Sequence, residues 1–260
     1  MNVLDHGYVR LLRVDGNDEF LAQTARTSTE STGDPDKDAK LVRRLVRDRH
    51  TSPIEFGGVV LEIKMPIFVA RQWMRHRTGA FNEFSMRYSE APNEYYVPEA
   101  DRCQAQSTFN HQGSADTLDG DNPEAIRKAI RDNSEAAYSV YQQMLALGLT
   151  RELARATLPV NFYTKVRWKI DLHNLMHFLK LREDPHAQYE IRVYAEAIHE
   201  LLLDKFPVAM KAYEDFIQNK IEISPTLAAS LAEALTRIAD LDEDIELTSE
   251  ESEFIRRYGE

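Results

Sequence analysis

The nine residues from Gly57 to Met65 constrain the fold more than any other stretch. They are rich in β-branched side chains and alternate Val59, Leu61 and Ile63 with Val60, Glu62 and Lys64, the period-two pattern of a strand with one apolar side. Two further runs, Tyr8 to Val14 and Tyr163 to Ile170, read as strands. Between them the spacing becomes helical. Helices are expected over Asp18 to Thr27, after the turn Asp15-Gly16-Asn17, and over Lys37 to Arg49, where His50-Thr51-Ser52-Pro53 stops the run. Pro66 opens a helix to about His76, Asn122-Pro123 caps one to about Leu147, and Thr150 caps a shorter one ending near Pro159. Asp171 caps a helix to Leu181, Asp184-Pro185 starts one ending near Phe206, and Pro207 begins another. Many helices with few strands predict an α+β fold: a central, mostly antiparallel sheet flanked by helices.

Ala100 to Asn122 is polar and aperiodic and reads as a long loop. After Lys220 the composition shifts. Ser224-Pro225 caps a possible amphipathic helix to Ile238, and the acid-rich Asp240 to Glu253 reads as solvated. Eleven acids against three arginines fall in residues 221–260, so most of the net charge of −11 sits there and the body is nearly balanced. The expected organisation is therefore a domain over 1–220 and an acidic extension over 221–260. No apolar run approaches a membrane span, and the N-terminus lacks a basic region followed by an apolar one, so a cytoplasmic protein is expected, with no membrane partner. Cys103 is the only cysteine, which excludes an intrachain disulfide and multi-cysteine metal sites. Its polar surroundings, with no histidine nearby, read as a surface or loop thiol rather than a nucleophile.

Between Arg71 and Arg87 lie four arginines, no lysine and a single acid, Glu83. An arginine-only cluster suits planar, bidentate recognition of phosphate or carbonyl groups. On a helix Gln72, Arg75 and His76 would share one face, and the turn at Gly79 could present backbone amides beside Asn82 and Ser85. The plainer reading is an exposed helix end whose cations favour the helix dipole. Arg182, taken alone, reads as a last-turn cation at a helix C-terminus before Asp184-Pro185. His173 and His177 have the i, i+4 spacing of a metal pair, but Asn174-Leu175-Met176 lacks the glutamate of a zinc protease, and no metal is expected.

The run Arg75-His76-Arg77-Thr78-Gly79-Ala80-Phe81-Asn82-Glu83-Phe84-Ser85-Met86-Arg87 resembles the signature of the flavin-dependent thymidylate synthases. Ala80 stands where that family usually has serine. Four further blocks carry the likeness: His50 to Glu55, Pro66 to Trp73, Arg155 to Thr164, and Leu181 to Gln188. The resemblance implies methylation of dUMP to dTMP with 5,10-methylenetetrahydrofolate as carbon donor, NADPH-reduced FAD as hydride source and no cysteine nucleophile. It implies a homotetramer with shared active sites. Gln72, Arg75 and Arg155 would meet dUMP from one subunit, and Glu83, Phe84, Ser85, Met86, Arg87 and the catalytic Arg182 from another. For FAD it implies His50, Ser52, Glu55, Arg75, His76, Arg77, Asn82, Glu83, Asp171, Leu172, His173, His177 and His186. There is no GxGxxG, so the flavin is not expected in a Rossmann site.

Three other functions fit parts of the sequence: a flavin or nucleotide sensor without turnover, a nucleic-acid binder using the basic segment, and a metal hydrolase using His173, His177 and His186. The acidic balance opposes nucleic acid, and none is expected as a partner.

Overall fold

The computed structural model describes residues 1–29, 31, 33–108, 113–241 and 247–259. The chain divides into two compact units, Met1–Gln218 and Asn219–Glu260. The first is built on a five-stranded sheet of β1 (Asn2–Val3), β2 (Gly7–Asp15), β3 (Gly58–Pro66), β4 (Ala80–Glu83) and β7 (Tyr163–Asp171). The order is β1-β2-β3-β7-β4, and every pair is antiparallel. A separate hairpin holds β5 (Gln104–Gln106) and β6 (Ser114–Thr117). The α+β expectation stands.

The predicted strand at Gly58–Pro66 is the middle of the sheet, paired along its full length with β7 and with β2. Val59, Leu61, Ile63 and Met65 turn into the core, where they meet Val166, Trp168 and Ile170 of β7. Helices α1 (Asp18–Arg26), α2 (Pro35–Arg47), α4 (Ile67–Trp73), α7 (Leu172–Arg182), α8 (Tyr189–Leu202) and α9 (Pro207–Tyr213) contribute buried residues to this cluster, as does the short α3 (Thr51–Ile54). A satellite cluster of Met86, Ala91, Tyr141 and Ala154 joins the signature segment to α5 (Asn122–Ala146) and α6 (Arg151–Ala154). The opposite side of the sheet is charged. Glu62 is buried there between Arg10 and Arg167 and accepts from the Tyr8 hydroxyl at 2.9 Å.

Several boundaries differ from the sequence reading. α2 begins at Pro35 because Asp34 accepts from the Lys37 N–H. It ends at Arg47, two residues before Arg49, whose φ of 58° lies outside the helical region, and Pro53 instead lies inside the first turn of α3, where a missing N–H costs nothing. α4 ends at Trp73, not His76: Arg75 and His76 donate to the carbonyls three residues back, a tightened last turn that swings Arg75 and His76 off the helix face. Arg151–Ala154 is followed by a 3₁₀ turn, Arg155–Thr157, rather than a helix to Pro159. α8 starts at Tyr189, since the Asp184 carboxylate accepts from the His186 N–H and closes a turn at 184–187.

The expected loop at 100–122 holds a 3₁₀ turn, Ala100–Arg102, and the β5–β6 hairpin, with residues 109–112 outside the described set. Cys103 is not a surface thiol. It is 5% exposed, its sulfur lies 3.7 Å from the Pro123 carbonyl, and burial pushes its pKa up.

In the second unit α10 (Pro225–Leu241) is followed by α11 (Ser249–Tyr258), where Thr248 and Glu251 form a capping box. Part of the acid-rich stretch expected to be solvated is thus helical, and residues 242–246 lie outside the described set. No helix among the described residues is long and apolar enough to cross a membrane.

Candidate active site

The most tightly built group of the expected residues lies where α4 and α7 end. α7 is fixed at its start by Asp171, which accepts from the Asn174 N–H at 2.9 Å, and along its length by buried Leu172, Leu175, Met176, Phe178 and Leu179. α4 is fixed by Trp73, fully buried among Trp168, Phe178 and Tyr194 with ring centroids 5.3, 4.6 and 6.1 Å away. With both helices pinned, Arg182 emerges beside the last turn of α4. Its Nε donates to His76 Nε2 at 3.0 Å, and Nη2 donates to the Gln72 carbonyl at 3.4 Å.

An acceptor at Nε2 requires His76 to be neutral there. Burial, then the charge of Arg182, then that of His177, pull its pKa from 6.5 to about 4. Arg182 is half-buried, and burial lowers its pKa as well, although a guanidinium remains charged. Among the described residues no carboxylate pairs with it and no group accepts from Nη1. The result is a braced cation with unused donors, its neighbours neutral.

A second group lies around a cavity of about 450 Å³ lined by Arg71, Glu83, Phe84, Met86, Arg155 and Thr164 among others. β4 delivers Glu83 here, where its carboxylate accepts from the Thr164 hydroxyl at 2.7 Å, and the Phe84 N–H donates to the Lys165 carbonyl at 2.7 Å. β4 can lie this close to β7 because Gly79 precedes it: a Cβ there would collide with the Trp168 indole. Arg87 and Arg155 are exposed. Arg87 reaches Glu152 only at 3.5 Å, and Arg155 Nε donates to the Glu152 carbonyl at 3.3 Å. Ser85 accepts from the Arg87 N–H at 3.3 Å.

The third group lines a mostly apolar cavity of about 350 Å³. His50, His173 and His177 share it with Arg49, Lys180 and an apolar wall that includes Met176.

The remaining expected residues are scattered. Ser52 and Glu55 are exposed on and just after α3, and Arg75, Arg77 and Asn82 are exposed around the signature turn. Both carboxylate oxygens of Asp171 are engaged by Asn174, and Leu172 is fully buried with its N–H given to the Gly57 carbonyl. His186 bonds Asp184 at 2.9 Å and lines a separate polar cavity with Gln188. Within one chain, therefore, Arg182 stands with Gln72 and Arg155 with Glu83, which interleaves the two sets that the resemblance assigns to different subunits. Sequence reasoning missed Arg71 and Thr164 as cavity residues and Gln188 as a partner of Gln72, although all three lie in segments already singled out.

Comparison with known proteins identifies the family. Residues 10–208 match the family model described as thymidylate synthase complementing protein. A flavin-dependent thymidylate synthase of Ruegeria pomeroyi is 42% identical over 254 residues, covering 96% of this chain and 84% of the relative, and one of Thermus thermophilus is 45% identical over 235 residues, covering 90% and 85%. A crystal structure of the UMP/dUMP methylase PolB from Streptomyces cacaoi, bound with 5-Br dUMP, aligns with a TM-score of 0.76 at 30% identity, covering 84% of this chain and 99% of that one. With the signature strand, the family match and these relatives in agreement, the chain belongs to the flavin-dependent thymidylate synthases.

Proposed function

We propose that this chain converts dUMP to dTMP by reductive methylation, with 5,10-methylenetetrahydrofolate giving the carbon, NADPH reducing a bound FAD, and no protein sulfur attached to the pyrimidine. The observation that carries the reading is Arg182. A cation held by one neutral imidazole and one carbonyl, with no carboxylate beside it, keeps its field for a ligand. Its free donors suit a carbonyl oxygen of uracil, where the negative charge that makes C5 nucleophilic would be held before C5 attacks the carbon donor. Neutral His76 holds the guanidinium plane without cancelling its charge.

The flavin fits the residues present. The 350 Å³ cavity pairs an apolar wall with three imidazoles and two cations, the donor set for a flat aromatic group with an anionic tail. His50, His173 and His177 would hold it, with exposed Arg75 and Arg77 available to its phosphates. When bound and reduced, FAD supplies the hydride that completes the methyl group. In the second cavity Arg155 suits the nucleotide phosphate, with Ser85 and Arg87 beside its lining residues Phe84 and Met86 in the chain, and Glu83 accepts from the Thr164 hydroxyl.

Cys103 supports the absence of a thiol nucleophile: it is buried, its pKa is raised, and it lines none of these cavities. The exposed arginines of a single chain leave much of any ligand in water, which favours a homotetramer with shared sites. The deciding experiment combines flavin absorbance of the purified protein with NADPH- and folate-dependent release of tritium from C5-labelled dUMP. Cys103→Ala is expected to retain at least half the rate. A colourless protein inert in this assay would end the proposal, and a stable, active monomer would end the shared-site part.

A further inference from the structure

Gln72 does not stand alone at the end of α4. Its Nε2 is hydrogen-bonded to the side-chain oxygen of Gln188, the Gln188 amide nitrogen donates to Glu190 Oε2 at 2.7 Å, and Glu190 Oε1 accepts from the Tyr96 hydroxyl at 3.2 Å, with Arg102 Nη2 3.9 Å away. Glu190 is 7% exposed, in the first turn of α8. Gln188 precedes that helix, and its side chain takes no part in the cap, which leaves it free for this chain of bonds.

An amide side chain can usually turn over and exchange its donor and acceptor ends. A carboxylate cannot, because both of its oxygens accept. With Tyr96 and Arg102 directed at it, Glu190 accepts only, so the nitrogen of Gln188 must face Glu190 and its oxygen must face Gln72. That oxygen in turn requires the nitrogen of Gln72. The side-chain oxygen of Gln72, Oε1, is then what remains, and among the described residues no donor reaches it; the bond from Arg182 goes to the backbone carbonyl.

We propose that Glu190 is a positioning residue which, through Gln188, fixes the amide polarity of Gln72, so that Gln72 meets the nucleotide as an acceptor and selects a donor group on it: the imide N3–H of uracil or the sugar 3′-hydroxyl. This rests on the reading that Gln72 faces dUMP. The relay contributes to selection rather than to bond making, since it touches no reacting atom. Where the selected donor is N3–H, the contact excludes cytosine, whose N3 is itself an acceptor; where it is the 3′-hydroxyl, dCMP binds like dUMP and the dideoxy analogue is the one rejected.

The test is binding of dUMP, dCMP and 2′,3′-dideoxy-UMP to the flavin-loaded protein by calorimetry. The wild type is expected to prefer dUMP over whichever analogue lacks the selected donor by about tenfold, the worth of one well-placed hydrogen bond. Glu190→Gln lets both amides turn, and the preference is expected to fall to about twofold or less, with kcat within about threefold. Gln188→Met, which removes the middle of the relay at an exposed position and leaves Glu190 its bond from Tyr96, is expected to do the same. Combining Glu190→Gln with Gln188→Glu restores an acceptor-only group opposite Gln72 and should restore the preference, a rescue that a purely structural role for Glu190 would not produce.

An unchanged preference in Glu190→Gln or Gln188→Met, or no rescue in the swap, overturns the relay. If Gln72→Ala leaves all three affinities unchanged, Gln72 does not face the nucleotide, and it is the underlying reading that has failed.

Discussion

Arg182 and Arg155 carry the same charge in opposite surroundings. Arg182 is half-buried at the end of a pinned helix, hydrogen-bonded to an imidazole and a carbonyl and to no acid. Arg155 stands exposed at the start of a 3₁₀ turn, its Nε on the carbonyl of Glu152. Charge in a fixed, partly dry setting can respond to a change in the ligand's electron distribution without first reorganising, whereas charge in water mainly offsets charge already present. The first arrangement suits a reacting ring and the second suits a phosphate.

That contrast dictates how the variants should rank. Arg182→Ala is expected to lower dTMP formation at least ~10³-fold with flavin content unchanged, at the upper end of what one such donor supplies. Arg182→Lys should do little better, because a single ammonium cannot span His76 and the Gln72 carbonyl in the geometry of the fork. Turnover within tenfold of wild type in either would put Arg182 on a level with the exposed arginines. Arg155→Ala is expected to raise the KM for dUMP about 10- to 30-fold, the loss of a charged hydrogen bond, with kcat nearly constant. A fall in kcat with constant KM would reverse the roles of the two sites.

The smallest effect is on stability. The His76 pKa is lowered in the folded state, so between about pH 6.5 and 4 the unfolded chain binds more protons there, and stability must decline as pH falls through that window. Urea unfolding at several pH values should therefore give a shallower acid-side decline in His76→Asn than in wild type. Equal slopes would mean that His76 is not held neutral beside Arg182.

The sequence exposes what is local and hides what is assembled over distance. β3 and β7 were readable because apolar alternation is printed along each, and Asp171 because an N-cap needs only the next few residues, whereas Asp34 was read as loop although it caps α2. β4 was not, since Ala80-Phe81-Asn82-Glu83 has no strong strand preference and owes its shape to β7. Cys103 misled for a related reason: its polar neighbours conceal that it packs beneath the start of α5. In the site, the resemblance gave the residue types, yet the bond from Arg182 to His76 joins segments far apart in the chain and leaves no periodic trace. Gln188 and Glu190 were passed over because an amide and an acid at a helix start usually serve the helix itself.

The pairing of β4 with β7 also orders events in time. The signature segment leaves the ribosome early, but Ala80 pairs with Lys169 and Glu83 with Val166, and the brace on His76 arrives later still with Arg182. A nascent chain therefore exposes its arginines long before they are arranged to hold anything, and competence for ligand must appear abruptly, near the end of synthesis of the first unit.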